Sequence, residues 1–429
     1  MNMKAKKIIE MVVIILLIFI SAPVFAQEPL SKTQSNKDEF RYPGEWEPME
    51  AIWIQSARKK FLAGPDVEPG MLNCIKELVS FVKVNIRVRN DTILQNTKAR
   101  LINYGIDMTN VNLIKFPEVG GFGTSRDTGP AFLINDKGEA MAVDFDYISA
   151  FGGKPDERTA LTEKRDKDWA EFLNLPVRKA KVGSEGGARE SNGKGTLMLV
   201  EKLEFKRNFH LGRNEIEAGF KKALNVSKII WLKKGLIEDE TGNYGTIWKD
   251  IYPIGSGGHI DLFCRFAGPN TILLSEVKKE ETKNNLIAAI NYEILEENYR
   301  ILKNSTDQDG KPFNIIRIPV GPFITAKHVL TEENKYILNI VNGSKVGDTF
   351  HYILGTSYLN FIIANGVVIT SKYFKEGRSQ EFKVRDDKAK LALQKAFPNH
   401  KIVQIDIEGY NHDGAGFHCV TLNQPKVNK

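Results

Sequence analysis

Gly257-Gly-His-Ile-Asp-Leu-Phe-Cys-Arg-Phe266 places a glycine pair before a run in which polar and apolar residues alternate. A period of two is the pattern of a β-strand, whose successive side chains point to opposite faces. On that reading His259 and Asp261 share one face, while Ile260, Leu262, Cys264 and Phe266 pack behind them. Outward from this stretch the chain repeatedly reads as a helix followed by an apolar strand. Arg213 to Leu224 precedes Lys228 to Leu232, Lys283 to Leu302 precedes Phe313 to Ile318, and Asp387 to Phe397 precedes Ile402 to Ile407. Ala131-Phe-Leu-Ile, the turn Asn135-Asp-Lys-Gly and Ala140-Met-Ala-Val-Asp-Phe read as a strand pair. No composition break or long Pro/Gly/Ser linker divides the chain. The expectation is one α/β domain of recurring strand and helix units, with any internal symmetry structural, because no sequence repeat is visible.

The N-terminus has a different character. Lys4, Lys6 and Lys7 precede a continuous apolar run from Met11 to Ile20, followed by Pro23-Val-Phe-Ala26. This is the layout of a secretory signal peptide over residues 1–26, cleaved after Ala26. The apolar run is short for a span of about 20 residues, so no stable membrane insertion is expected after cleavage. The protein is expected to be exported, either periplasmic or secreted. Gln27 to Phe40 is polar and reads as a flexible segment, and the folded domain is expected from Arg41 to Lys429.

The formal net charge is +7, but acidic and basic residues alternate, as in Glu276-Val-Lys-Lys-Glu-Glu-Thr-Lys. No arginine-rich stripe with interleaved aromatics is present, which argues against a nucleic-acid partner. Of three cysteines, Cys74 sits in helical spacing and Cys264 on an apolar strand face, so both read as core. Cys419 lies outside such a pattern, in Gly414-Ala-Gly-Phe-His-Cys-Val-Thr-Leu, where glycines permit close approach and the cysteine begins an apolar strand. A cysteine there, with a histidine elsewhere in the chain, is a candidate nucleophile; a buried strand cysteine is the competing reading. His418 would point to the opposite face of such a strand, so His259 is the better partner.

Two other segments place a carboxylate beside glycine. Asp127 stands in Ser125-Arg-Asp-Thr-Gly-Pro, which by itself reads as a turn aspartate. Glu185 stands in Gly183-Ser-Glu-Gly-Gly, either a solvated loop or a point where backbone approaches a ligand. His-x-Asp at 259–261 lacks a matching His or Cys cluster, so no metal is expected.

Taken in order, Glu45-Trp-Glu-Pro-Met-Glu-Ala-Ile-Trp, Arg126-Asp-Thr-Gly-Pro, Glu185-Gly-Gly, Gly258-His-Ile-Asp, Ser357-Tyr-Leu-Asn-Phe-Ile-Ile-Ala-Asn-Gly and Gly416-Phe-His-Cys-Val-Thr resemble the agmatine deiminase and Porphyromonas-type peptidylarginine deiminase family of the guanidino-group-modifying superfamily. The resemblance implies a five-bladed α/β propeller of the pentein type. It also implies Cys419 as nucleophile, His259 as acid/base, Asp127 and Asp261 as guanidinium-binding carboxylates, and Glu185 as a further site acid. Neither cofactor nor metal is implied. The implied reaction converts a small guanidine such as agmatine to a ureido product and ammonia, with arginine in a peptide or protein as the alternative substrate. A non-catalytic guanidine- or protein-binding module and a papain-like protease are rival readings that the full set of site residues disfavours. The sequence departs from the agmatine-specific pattern at Gly120 to Ser125, at Ala188 to Asn192 and in Gly414-Ala-Gly-Phe, and Thr241 to Ser256 reads as an insertion.

Overall fold

Five times over, an antiparallel strand pair is followed by a crossover to a third strand that lies parallel to the second. The computed structural model describes residues 39–55, 64–116, 125–146, 162–241, 244–332 and 344–427. The expected signal peptide and nearly all of the expected 27–40 segment therefore lie outside the described residues. Phe40 to Lys429 forms one compact unit.

Ala131–Ile134 pairs with Ala140–Asp146, and the helix Arg165–Phe172 leads to Val177–Gly183. Glu190–Ser191 pairs with Thr196–Val200, and the helices Glu201–Arg207 and Arg213–Leu224 lead to Lys228–Leu232. Cys264–Gly268 pairs with Thr271–Glu276, and the helix Leu286–Lys303 leads to Asn314–Pro319. Ile362–Ala364 pairs with Val367–Ser371, and the helix Gln380–Ala396 leads to Lys401–Ile405. The fifth unit joins the two ends of the chain. The C-terminal strand Thr421–Pro425 pairs with the N-terminal strand Met49–Gln55, which runs parallel to Lys83–Val88 beyond the helix Glu68–Leu78. Val111–Lys115 extends this sheet.

The cores link these sheets in sequence. Leu133, Phe145, Leu197 and Leu199 join the first and second sheets, and Met198, Ile230, Cys264 and Ile272 join the second and third. Leu273, Ile318, Ile363 and Val368 join the third and fourth, and Ile369, Ile52 and Val84 the fourth and fifth. Trp53, Leu422, Phe132 and Trp169 return from the fifth to the first. Repetition is thus carried by strand order and by interface chemistry rather than by sequence identity.

A sixth sheet stands outside the recurrence. Ile251–Tyr252, within the expected insertion, runs parallel to Thr349–Ile353, which pairs with Thr325–Val329. Helix and strand expectations at 213–224 and 228–232 coincide with the structure. The helix expected over 387–397 starts earlier, at Gln380, where Ser379 accepts from the Glu381 N–H at its N-terminus. Cys74 and Cys264 are both fully buried.

Candidate active site

The segment that opened the sequence reading is not a strand at its critical end. Gly257 and Gly258 adopt φ of 95° and 100°, in the left-handed region that favours glycine. Ile260–Leu262 is a turn of 3₁₀ helix, and the strand starts only at Cys264. The alternate-face explanation for His259 and Asp261 is therefore replaced by a tight knuckle.

Asp239 builds that knuckle. Its carboxylate accepts the backbone N–H groups of Ser256 (2.8 Å), Gly258 (3.0 Å) and His259 (2.6 Å). Its carbonyl accepts those of Gly257 and Gly258. Burial pushes the Asp239 carboxyl up to about 7, with the His259 charge acting against it.

Gly187 shows where the side chains converge. A Cβ there would lie 2.5 Å from His259 Nδ1, 3.0 Å from Asp261 Oδ2 and 3.2 Å from Asp127 Oδ1. The bare glycine leaves this space open. Its backbone N–H donates to Asp127 Oδ1 at 3.2 Å, and Asp127 itself sits in the one-turn helix Ser125–Thr128. Three of the expected residues thus meet around one small volume.

Cys419 completes the group. It occupies a turn two residues before Thr421–Pro425 rather than beginning the strand. Its Sγ lies 3.9 Å from Asp261 Oδ2 and receives the Asn360 Nδ2 hydrogen bond at 3.2 Å. The same amide donates to Asp261 Oδ2 at 2.9 Å, and its oxygen accepts from the Cys419 N–H at 3.3 Å. Asn360 thereby fixes the sulfur and the carboxylate relative to each other. Burial and the charges of Asp261 and Asp127 push the Cys419 thiol far up.

Glu185 supports His259 from behind. Its Oε2 accepts from His259 Nε2 at 2.8 Å and from Arg207 Nη2 at 2.6 Å. Burial opposes the imidazolium, but the Glu185 hydrogen bond and the charges of Asp127, Glu185 and Asp261 raise His259 to about 10. His259 is therefore a cation at neutral pH. Its Nδ1, buried and without a hydrogen-bond partner, faces the space beside Gly187. Asp261 Oδ1 is likewise buried and unpartnered.

His418, expected on the far face of a strand, lies in the same turn as Cys419 and points back into the site. Its Nδ1 contacts Asp261 Oδ2 at 2.7 Å and its Nε2 contacts Glu45 Oε2 at 2.8 Å. Glu45 also binds Arg126, and Arg265 at 2.6 Å. Burial works against its charge, yet Arg126, His418 and Arg265 hold it well below the usual carboxylate range.

Asp127, Glu185 and His259 offer donor atoms within 4.8 Å of one another, a grouping that could enclose a cation. However, the 2.8 Å contact between His259 Nε2 and Glu185 is a hydrogen-bond distance, and Arg207 occupies the same carboxylate oxygen. His259 Nε2 and Glu185 Oε2 are thus engaged with each other and with Arg207.

Residues 41–425 match the family model for Porphyromonas-type peptidyl-arginine deiminase. The chain belongs to that family. Among its curated relatives, the agmatine deiminase of Pseudomonas syringae pv. tomato is 30% identical over 398 residues, covering 90% of this chain and 96% of the relative. That of Pseudomonas aeruginosa is 29% identical, covering 91% and 97%. The solved agmatine deiminase of Enterococcus faecalis superposes with a TM-score of 0.70 at 24% identity, covering 91% of this chain and 97% of that one. This deiminase-family chain is a hydrolase acting on amidines, with a mixed α/β fold of the pentein deiminase kind.

Asn360, Asp239, Glu45 and His418 were not singled out from the sequence as site residues. Glu45 and Asn360 both stand within the motifs that carried the family resemblance, which was the available signal. Asp239 lies in Ile237-Glu-Asp-Glu, a plain acidic run that gives no local indication of its contacts.

Proposed function

We propose that the protein deiminates a small guanidine, agmatine or a close analogue, through a covalent thiouronium on Cys419. The observation that carries this reading is the space beside Gly187, bordered by His259 Nδ1 and two carboxylates, with the Cys419 sulfur 3.9 Å from one of them. A planar guanidinium satisfies opposed carboxylates through paired, charge-assisted hydrogen bonds. Asp127 and Asp261 grip it and hold its central carbon toward the sulfur.

The same geometry explains how a thiol that resists ionisation becomes a nucleophile. Two nearby carboxylates disfavour the thiolate in the free enzyme. A bound guanidinium offsets them and the Asn360 amide solvates the sulfur, so substrate binding promotes the reactive form. Attack on the guanidinium carbon forms the C–S bond. His259 then donates its Nδ1 proton to the departing nitrogen, and ammonia leaves. The resulting neutral imidazole accepts a proton from water as the water attacks that carbon, which expels the Cys419 thiolate and releases a urea-type product.

The five strand triplets and their successively shared cores support a five-bladed propeller with this site at its centre. The leader over residues 1–26 supports export to the periplasm or beyond. Incubating purified protein with agmatine, free arginine and an arginine-containing peptide, and measuring ammonia and ureido product, tests the function. The expected order places agmatine first, and preference for the peptide would move the protein to the alternative substrate class. No ammonia from any of the three would end the deiminase reading.

Gly187→Ala provides a geometric test. Its methyl would crowd His259 Nδ1 and enter the guanidinium space. Overpacking costs about 1–3 kcal/mol, so kcat/KM should fall roughly 10–100-fold. An unchanged kcat/KM would show that substrate does not approach this glycine.

A further inference from the structure

His418 adjoins the nucleophile in sequence, yet its contacts give it no part in the proton transfers above. Both ring nitrogens face carboxylate oxygens, Nδ1 toward Asp261 at 2.7 Å and Nε2 toward Glu45 at 2.8 Å. A neutral imidazole donates from one nitrogen only, so its other lone pair would confront a carboxylate lone pair at hydrogen-bond distance. Either the ring carries two protons or a carboxylate carries one. Glu45 is bound by Arg126 and Arg265 as well as by His418, which makes it a poor proton acceptor. Asp261 accepts a second hydrogen bond, from Asn360 at 2.9 Å. The proton therefore belongs on His418.

We propose that His418, as a buried imidazolium between two carboxylates, keeps Asp261 ionised and oriented for the substrate cation, anchored from behind by Glu45. It is a positioning residue, acting through Asp261 and never through the reacting atoms. With Oδ2 occupied by His418 and Asn360, the unpartnered Oδ1 remains for the guanidinium. The arrangement also limits a cost to the nucleophile. A carboxylate 3.9 Å from Sγ opposes thiolate formation, and an adjoining cation offsets part of that charge.

The groups around Asp261 determine how this can be measured. His259 and Arg265 face it from its own segment, His418 and Cys419 from the C-terminal turn, Asp239 from the knuckle, and Asp127 across the substrate space. Glu45, Glu190 and Arg126 lie beyond His418. Burial alone would raise the Asp261 pKa, and the His418 contact is foremost among the influences that hold it below its ordinary value. Removing the imidazolium shifts Asp261 toward its protonated form, so the damage grows as the pH falls and recedes as it rises.

This inference rests on the deiminase reading, so the test measures binding apart from turnover. Agmatine affinity is determined by calorimetry at pH 6 and pH 9, comparing Cys419→Ser with Cys419→Ser/His418→Gln. A circular-dichroism melt of each protein establishes folding. The glutamine should weaken affinity at least about tenfold at pH 6, a loss of about 1.4 kcal/mol. At pH 9 the two proteins should agree to within about threefold. Equal loss at both pH values would mean that His418 is merely structural, and no loss at either would remove it from the site. His418→Asn guards against a folding defect in the glutamine variant and should show the same pH-dependent deficit. If agmatine binds the parent but wild-type protein never releases ammonia, the deiminase reading fails while the His418 comparison stands.

Discussion

Cys419→Ser should turn over no guanidine and should fold as the parent does. The hydroxyl that replaces the thiol keeps the hydrogen bond from Asn360, and the site at position 419 is already fully enclosed by neighbouring turns. Serine is slightly smaller, so the packing cost is small. The chemical cost is large, because a bound guanidinium and one amide can favour a thiolate but cannot ionise an alcohol that has no nearby base. His259 is itself protonated up to about 10 and cannot serve as that base at neutral pH. Loss of a nucleophile typically removes about 10⁴-fold or more of kcat. Ammonia release should fall to background, with agmatine still bound and the melting temperature within a few degrees of wild type. Residual turnover above about one part in a hundred would exclude covalent catalysis by Cys419.

His259→Asn should cost about 10²–10⁴-fold in kcat, the usual contribution of a positioned acid/base. Its pH signature separates this loss from simple disorder. In the proposed mechanism the imidazolium is the acid that frees ammonia, so activity should persist while His259 keeps its proton and fall as pH rises through about 10. Glu185 holds that proton in place through the 2.8 Å contact to Nε2. Glu185→Gln removes a group that raises the His259 pKa, so its alkaline limb must move to lower pH. His259→Asn has no imidazole to titrate and should lack that limb. An unmoved limb in Glu185→Gln would assign the alkaline fall to another group. The profile is measured as kcat/KM from pH 6 to pH 10.5, with thermal melts at each end.

Local features of the fold were the most legible ones. The spacing in Arg213 to Leu224 and the apolar run to Leu232 matched the structure residue for residue, because amphipathic periodicity records which face is buried. The core placement of Cys74 and Cys264 held for the same reason, since both sit in patterns made by packing. The His259 knuckle misled, because alternation can arise without a strand when glycines and a buried carboxylate bend the chain. Asp239 performs that bending through backbone contacts 17 to 20 residues away, which no periodicity records. Glu45 and His418 lie 373 residues apart in sequence and hydrogen-bond in space, a relation that only the tertiary fold creates.

The pairing of Met49–Gln55 with Thr421–Pro425 carries a consequence for how the protein comes to life. The proposed nucleophile, Cys419, stands in the turn that feeds the strand Thr421–Pro425. During synthesis Met49–Gln55 emerges long before Thr421–Pro425 and must wait for its antiparallel partner. Contacts between such distant segments carry a large closure entropy and form late. A chain cut before that turn would therefore keep the proposed guanidinium-binding carboxylates Asp127 and Asp261 but lack the proposed nucleophile Cys419. Such a chain should release no ammonia.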